Sequence, residues 1–66
     1  MTIQLNGKTE TLMTPVSLLD FLQSKDLLSK PLVIELNGQA LLREEYRDHT
    51  LEDGAILEIV TLAAGG

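Results

Sequence analysis

Cysteine and tryptophan are absent from this chain, and histidine occurs once. Without cysteine there is no disulfide staple, no thiolate nucleophile and no cysteine-rich zinc site, and one histidine cannot assemble a multi-histidine metal centre. Long apolar runs are also missing. None approaches the roughly 18 residues of a membrane-spanning helix, and Met1-Thr2-Ile3-Gln4 lacks the basic start of a secretory signal. The expectation is a cytoplasmic protein with no membrane partner. Basic charge is scarce: 5 Lys and Arg stand against 10 Asp and Glu, a net charge of -5. That balance argues against nucleic acid and for partners with positive surfaces. Length is short as well, at 66 residues. A ligand pocket typically occupies about 300–1,000 Å³, which would compete with the core for the same side chains. One domain over residues 1–66, standing on packing alone and without an internal active site, is expected.

What is present is a series of strand signals punctuated by turns. Thr2-Ile3-Gln4-Leu5 alternates polar and apolar, Asn6-Gly7 is the dipeptide preferred in a type I′ turn, and Lys8 to Met13 is rich in strand formers, which predicts an opening hairpin. Thr14-Pro15 breaks the sheet. Ser17 with Asp20 three positions later is a capping-box-like start. Leu18, Leu19 and Leu22, with Phe21 beside them, then predict a short helix from about Ser17 to Lys25 that covers a sheet. Ser29-Lys30-Pro31 reads as a loop. Leu32 to Leu36 reads as a strand ending in a second Asn-Gly pair, Asn37-Gly38, and Gln39 to Leu42 as a short strand. Arg43 to His49 reads as a surface turn or single helical turn around Tyr46. Leu51-Glu52-Asp53-Gly54 reads as a turn, and Ala55 to Leu62 as the longest strand.

That last strand carries Leu57, Ile59 and Thr61 on one parity and Ile56, Val60 and Leu62 on the other, interrupted by Glu58. Apolar residues on both faces place it centrally in the sheet. The predicted fold is α+β, one helix packed on a mixed sheet of four to five strands. The row Ile56, Val60 and Leu62 has two readings of equal weight: sheet residues partly covered by the turn section, or a docking patch.

After this strand come Ala63-Ala64-Gly65-Gly66. Taken alone, this tail fits a frayed terminus as well as a functional one. Four residues without bulky side chains extend about 13–14 Å at 3.3–3.6 Å each, and glycine admits nearly any backbone angle. A flexible tail over residues 63–66 can therefore thread a narrow active site. Ala64 and Gly65 would grant access, and the Gly66 carboxylate, ionised at neutral pH, would need activation from outside the chain.

The opening Ile3-Gln4-Leu5-Asn6-Gly7, Val16-Ser17-Leu18-Leu19-Asp20-Phe21-Leu22, Val33-Ile34-Glu35-Leu36-Asn37-Gly38, Arg43 through His49, Asp53-Gly54 and the closing Ala64-Gly65-Gly66 together resemble the ThiS family of thiamine-biosynthesis sulfur carriers. Those are small β-grasp proteins similar in fold to ubiquitin. Leu42 departs from the resemblance, since many members have proline before the residue matching Arg43. The resemblance implies a carrier rather than an enzyme. On that resemblance, a ubiquitin-activating-like adenylyltransferase (ThiF type) would adenylate Gly66 with ATP, the adenylate would become a thiocarboxylate (1-thioglycine) with sulfur that originates from a cysteine desulfurase, and a thiazole synthase (ThiG type) would receive that sulfur. It also implies no bound cofactor, no metal and a monomer when alone. A small subunit of molybdopterin synthase, or a ubiquitin-like modifier, would use the same fold and tail.

The remaining polar residues read more simply. His49 beside Asp48 lacks a nucleophile and reads as a surface residue. Tyr46 reads as packing. Glu44, Glu45, Asp48, Glu52 and Asp53 lack the spacing of a calcium loop and read as a solvated acidic face, which would steer docking onto basic partners.

Overall fold

The Asn-Gly pairs fold as the sequence predicts. Asn6 and Gly7 have φ of 50° and 81°, and Asn37 and Gly38 have φ of 52° and 83°, the two consecutive positive values that a type I′ turn requires. The first pair joins β1 (Thr2–Leu5) to β2 (Lys8–Thr11), and the second joins β4 (Leu32–Leu36) to β5 (Gln39–Leu41). Between the hairpins lie β3 (Val16–Ser17) and the helix α1 (Leu18–Ser24). After them come a 3-10 helix (Arg43–Asp48), β6 (Thr50–Leu51) and β7 (Ile56–Thr61). The computed structural model describes residues 1–62, so the tail of residues 63–66 lies outside the described residues.

β7 is the middle strand of a five-stranded mixed sheet of order β2-β1-β7-β4-β5. It runs parallel to β1 and antiparallel to β4. Its central place agrees with its apolar residues at both parities: β1 and β4 pair with its two edges and take up its backbone groups, while the row that includes Leu57 packs into the core. α1 lies across one face. Ser17 caps it by accepting a hydrogen bond from the Asp20 amide at 3.0 Å. Asp26, at φ 58°, ends it: its amide donates to Gln23 and the Leu27 amide to Leu22, both at 3.0 Å. This is a Schellman motif with aspartate in the position that glycine usually fills.

The core forms between α1 and the sheet. Ile3, Leu18, Leu22, Ile34, Leu51 and Leu57 are fully enclosed, with Phe21, Leu36, Leu41, Tyr46 and Ala55 packed around them. Tyr46 is thus a packing residue, as its place in the charged segment suggested. Burial raises its pKa above the ordinary phenol value, against a smaller opposing effect of the nearby Arg43 guanidinium. The 3-10 helix opens with a reciprocal pair: the Leu42 amide donates to Glu45 Oε1 at 2.7 Å and the Glu45 amide donates to the Leu42 carbonyl at 2.9 Å.

Two local readings change. Leu51 belongs to a strand rather than a turn, because β6 pairs with β3 in a separate two-stranded sheet, Val16 opposite Leu51 and Ser17 opposite Thr50. Strands of two residues are too short to display a period. The last strand is shorter than Ala55 to Leu62, since the buried Ala55 closes the preceding turn through its amide to the Glu52 carbonyl at 3.0 Å. Among the described residues no helix is long and apolar enough to cross a membrane.

Candidate functional site

β7 is the last strand of the chain and the element that precedes residues 63–66 in sequence. Two asparagine side chains hold it in place. Asn6 receives the Ile59 amide at 2.7 Å and donates to the Ile59 carbonyl at 3.1 Å. Asn37 receives the Ile56 amide on its side chain at 2.9 Å, while its own amide donates to the Ile56 carbonyl at 2.7 Å. A primary amide supplies both a donor and an acceptor, so Asn6 completes the ladder where the two β1–β7 residue pairs, Gln4 with Ile56 and Leu5 with Leu57, leave off. Each asparagine therefore serves its turn and the central strand at once. At the far end of β7 the Leu62 amide donates to the Pro31 carbonyl at 3.0 Å.

The two faces of this strand differ. Leu57 is enclosed under α1, whereas Ile56, Val60 and Leu62 are 51%, 56% and 51% exposed on the opposite, open face. The reading in which the turn section covers this row is corrected. The 3-10 helix packs against α1 and β3 instead, because burying Tyr46 draws it to the helix side. Val33 joins the row: it stands directly opposite Val60 on β4 and is 48% exposed. The alternation of Leu32, Ile34 and Leu36 against Val33 and Glu35 carried that signal. Glu35 stands opposite Glu58 in the same register, so two carboxylates lie among the exposed aliphatic side chains.

Of the proposed site residues, the described structure brings together Ile56, Val60 and Leu62. Ala64, Gly65 and Gly66 lie outside the described residues. The acidic face is only partly free: Glu45 caps the 3-10 helix, and Asp53 accepts the Thr2 amide at 2.8 Å, tying the start of β1 to the turn before β7. Glu44, Asp48 and Glu52 remain exposed. His49 is half-buried, and its backbone carbonyl receives the Leu18 amide at 2.8 Å. Among the described residues no group of three His, Asp or Glu side chains is arranged to hold a metal ion. Taken together, the residues offer a surface and a strand that leads away from it.

A family model described as the ThiS family matches residues 3–66. The fold is similar to the crystal structure of the thiamine biosynthesis protein ThiS from Geobacter metallireducens, with a TM-score of 0.83, 28% identity and 100% of both chains covered. It is similar also to the solution structure of a thiamine biosynthesis protein from the same organism, with a TM-score of 0.81 and 28% identity over 100% of this chain and 88% of that one. No curated protein matches the chain.

Proposed function

The chain belongs to the ThiS family, and from that membership we propose that it is a sulfur carrier of thiamine biosynthesis whose cargo rides on the main-chain carboxyl of Gly66. The observation that carries this reading is the extent of the family match, which runs through Gly65 and Gly66. The names of both structural relatives favour the thiazole route over molybdopterin synthesis.

The chemistry follows from what a glycine carboxylate lacks. Ionised at neutral pH, it resists nucleophiles until an oxygen is turned into a leaving group. In the proposed sequence a Gly66 carboxylate oxygen attacks the α-phosphorus of ATP on a ubiquitin-activating-like adenylyltransferase of the ThiF type. The bond to pyrophosphate breaks and an acyl adenylate forms. Sulfur that originates from a cysteine desulfurase, delivered at the sulfide oxidation level, then attacks the acyl carbon. AMP leaves with the former carboxylate oxygen, and a thiocarboxylate remains. A thiazole synthase of the ThiG type takes up this sulfur. The chain supplies the carried group and the surface that presents it, with Ala64 and Gly65 leaving the approach to Gly66 narrow. Ile56 and Val60 on β7, with Leu62 just after it, form the docking patch on the strand that precedes the tail.

Co-expression with the adenylating partner and a sulfur source, followed by intact-mass measurement, tests the reading. Exchange of one oxygen for sulfur, lost when Gly66 is deleted, is expected. A ladder of conjugates would reassign the chain as a protein modifier. An unchanged mass, or sulfur loading that survives deletion of Gly66, would overturn the proposal.

A further inference from the structure

Glu35 and Glu58 are the one charged pair set directly opposite each other across β4 and β7, with Ile56 on one side and Val60 and Val33 on the other. Opposed residues in an antiparallel pair place their Cβ atoms about 4.5–5.5 Å apart, and like charges so placed repel. Among the described residues the single ion pair joins Lys25 to Glu10 and leaves Glu35 and Glu58 without a cation; Ala40 stands beside Glu35 on β5, and the β1 residue on this face, Gln4, stands beside Ile56. The repulsion is tolerable while water reaches both carboxylates. It sets a condition on whatever covers the surrounding aliphatic side chains.

A wholly apolar surface would strand two desolvated charges. A second copy of this chain would bring its own acidic residues against them, at a net charge of -5 per chain. A partner that suits the face must insert a cation. A planar guanidinium, with five donors in a fixed fork, can bridge two neighbouring carboxylates, whereas an ammonium acts as a point charge. We propose that the open face docks a protein surface that sets one arginine between Glu35 and Glu58 inside an apolar contour, and that this surface belongs to the adenylating enzyme that activates Gly66. The inference rests on the carrier reading above and adds to it the chemistry of the partner. Continuity supports the choice of occupant, because Ile56, Glu58 and Val60 lie on the strand that leads into the tail.

The test measures binding to the ThiF-type adenylating enzyme for the full chain, for Glu35→Gln/Glu58→Gln and for Asp20→Asn/Asp26→Asn. The last variant removes the same charge from exposed positions on the helix side. Replacing the facing pair is expected to weaken binding by about tenfold or more, mainly through faster dissociation, against about twofold or less for the control. The facing-pair variant should melt no lower than the parent, since the repulsion is relieved. Equal effects of the two variants, or undiminished binding of the first, would overturn the proposal. So would a dimer of the parent chain in sedimentation that Val60→Lys dissolves. Gly66 loading, read in parallel by intact mass, separates the levels: loading that is indifferent to Glu35 and Glu58 overturns this docking mode alone. Absence of both loading and binding overturns the carrier reading and the docking mode together.

Discussion

Leu57 and Val60 lie three residues apart on β7, yet the first is enclosed and the second is 56% exposed. The difference follows from the sheet's period of two and from α1, which covers one face only. Residues of one parity on β7 join the core with Ile34 and Leu36 of β4 and Leu18 and Leu22 of α1. Those of the other parity meet Val33 and Glu35 of β4 and are left to solvent. The same strand thus secures the fold on one side and presents a surface on the other. Apolar character alone does not say which residue does which.

Truncation distinguishes them most sharply. Leu57→Ala should lower unfolding free energy by about 2–5 kcal/mol, the range for a buried leucine that leaves a cavity. In a chain this small that is a large part of the total. Val60→Ala should change it by about 0.5 kcal/mol or less. Denaturant titration checks both, and equal losses at the two positions would erase the distinction between the faces.

A smaller effect is expected from the clamp on β7. Asn6→Gly retains the positive φ that the turn needs but removes both side-chain hydrogen bonds to Ile59. A loss of about 1–2 kcal/mol follows from two such bonds at a partly exposed site. Amide hydrogen exchange should locate it at Ile59 rather than along the β1–β2 hairpin.

The smallest effect is a slope with pH on the helix side. Burial raises the Tyr46 pKa in the folded chain, so above the unfolded phenol value, about 10, the unfolded state releases a proton that the folded state keeps. Stability held below that pH therefore declines as pH rises toward the folded value. Tyr46→Phe removes this contribution. Its unfolding free energy should fall less steeply than the parent's above about pH 10, with no difference in slope at neutral pH.

The comparison also explains what could be read from the residues alone. Both Asn-Gly turns, the helix with its Ser17 cap and the central place of the last strand were legible, because each rests on a local dipeptide, a cap or a period. The β3–β6 pairing was not, since Val16-Ser17 and Thr50-Leu51 are too short to carry a pattern and meet only when the fold brings them together. The second role of Asn6 and Asn37 was hidden for the same reason. The patch of Ile56, Val60 and Leu62 was visible as a parity, but its openness depended on where the 3-10 helix settles, and that is decided by Tyr46 entering the core. The opposition of Glu35 and Glu58 needed the register between β4 and β7.

The central claim is that the open face of β7 docks the carrier while Gly66 reacts. Loading of the folded Val60→Lys variant measures this most directly. The position is exposed, and lysine lies diagonal to Glu35, so the variant should keep its fold to within about 1 kcal/mol. With the adenylating enzyme at a concentration that loads the parent chain, intact-mass measurement should find little or no sulfur on Gly66 of the folded variant. Loading at the parent's rate would contradict the account.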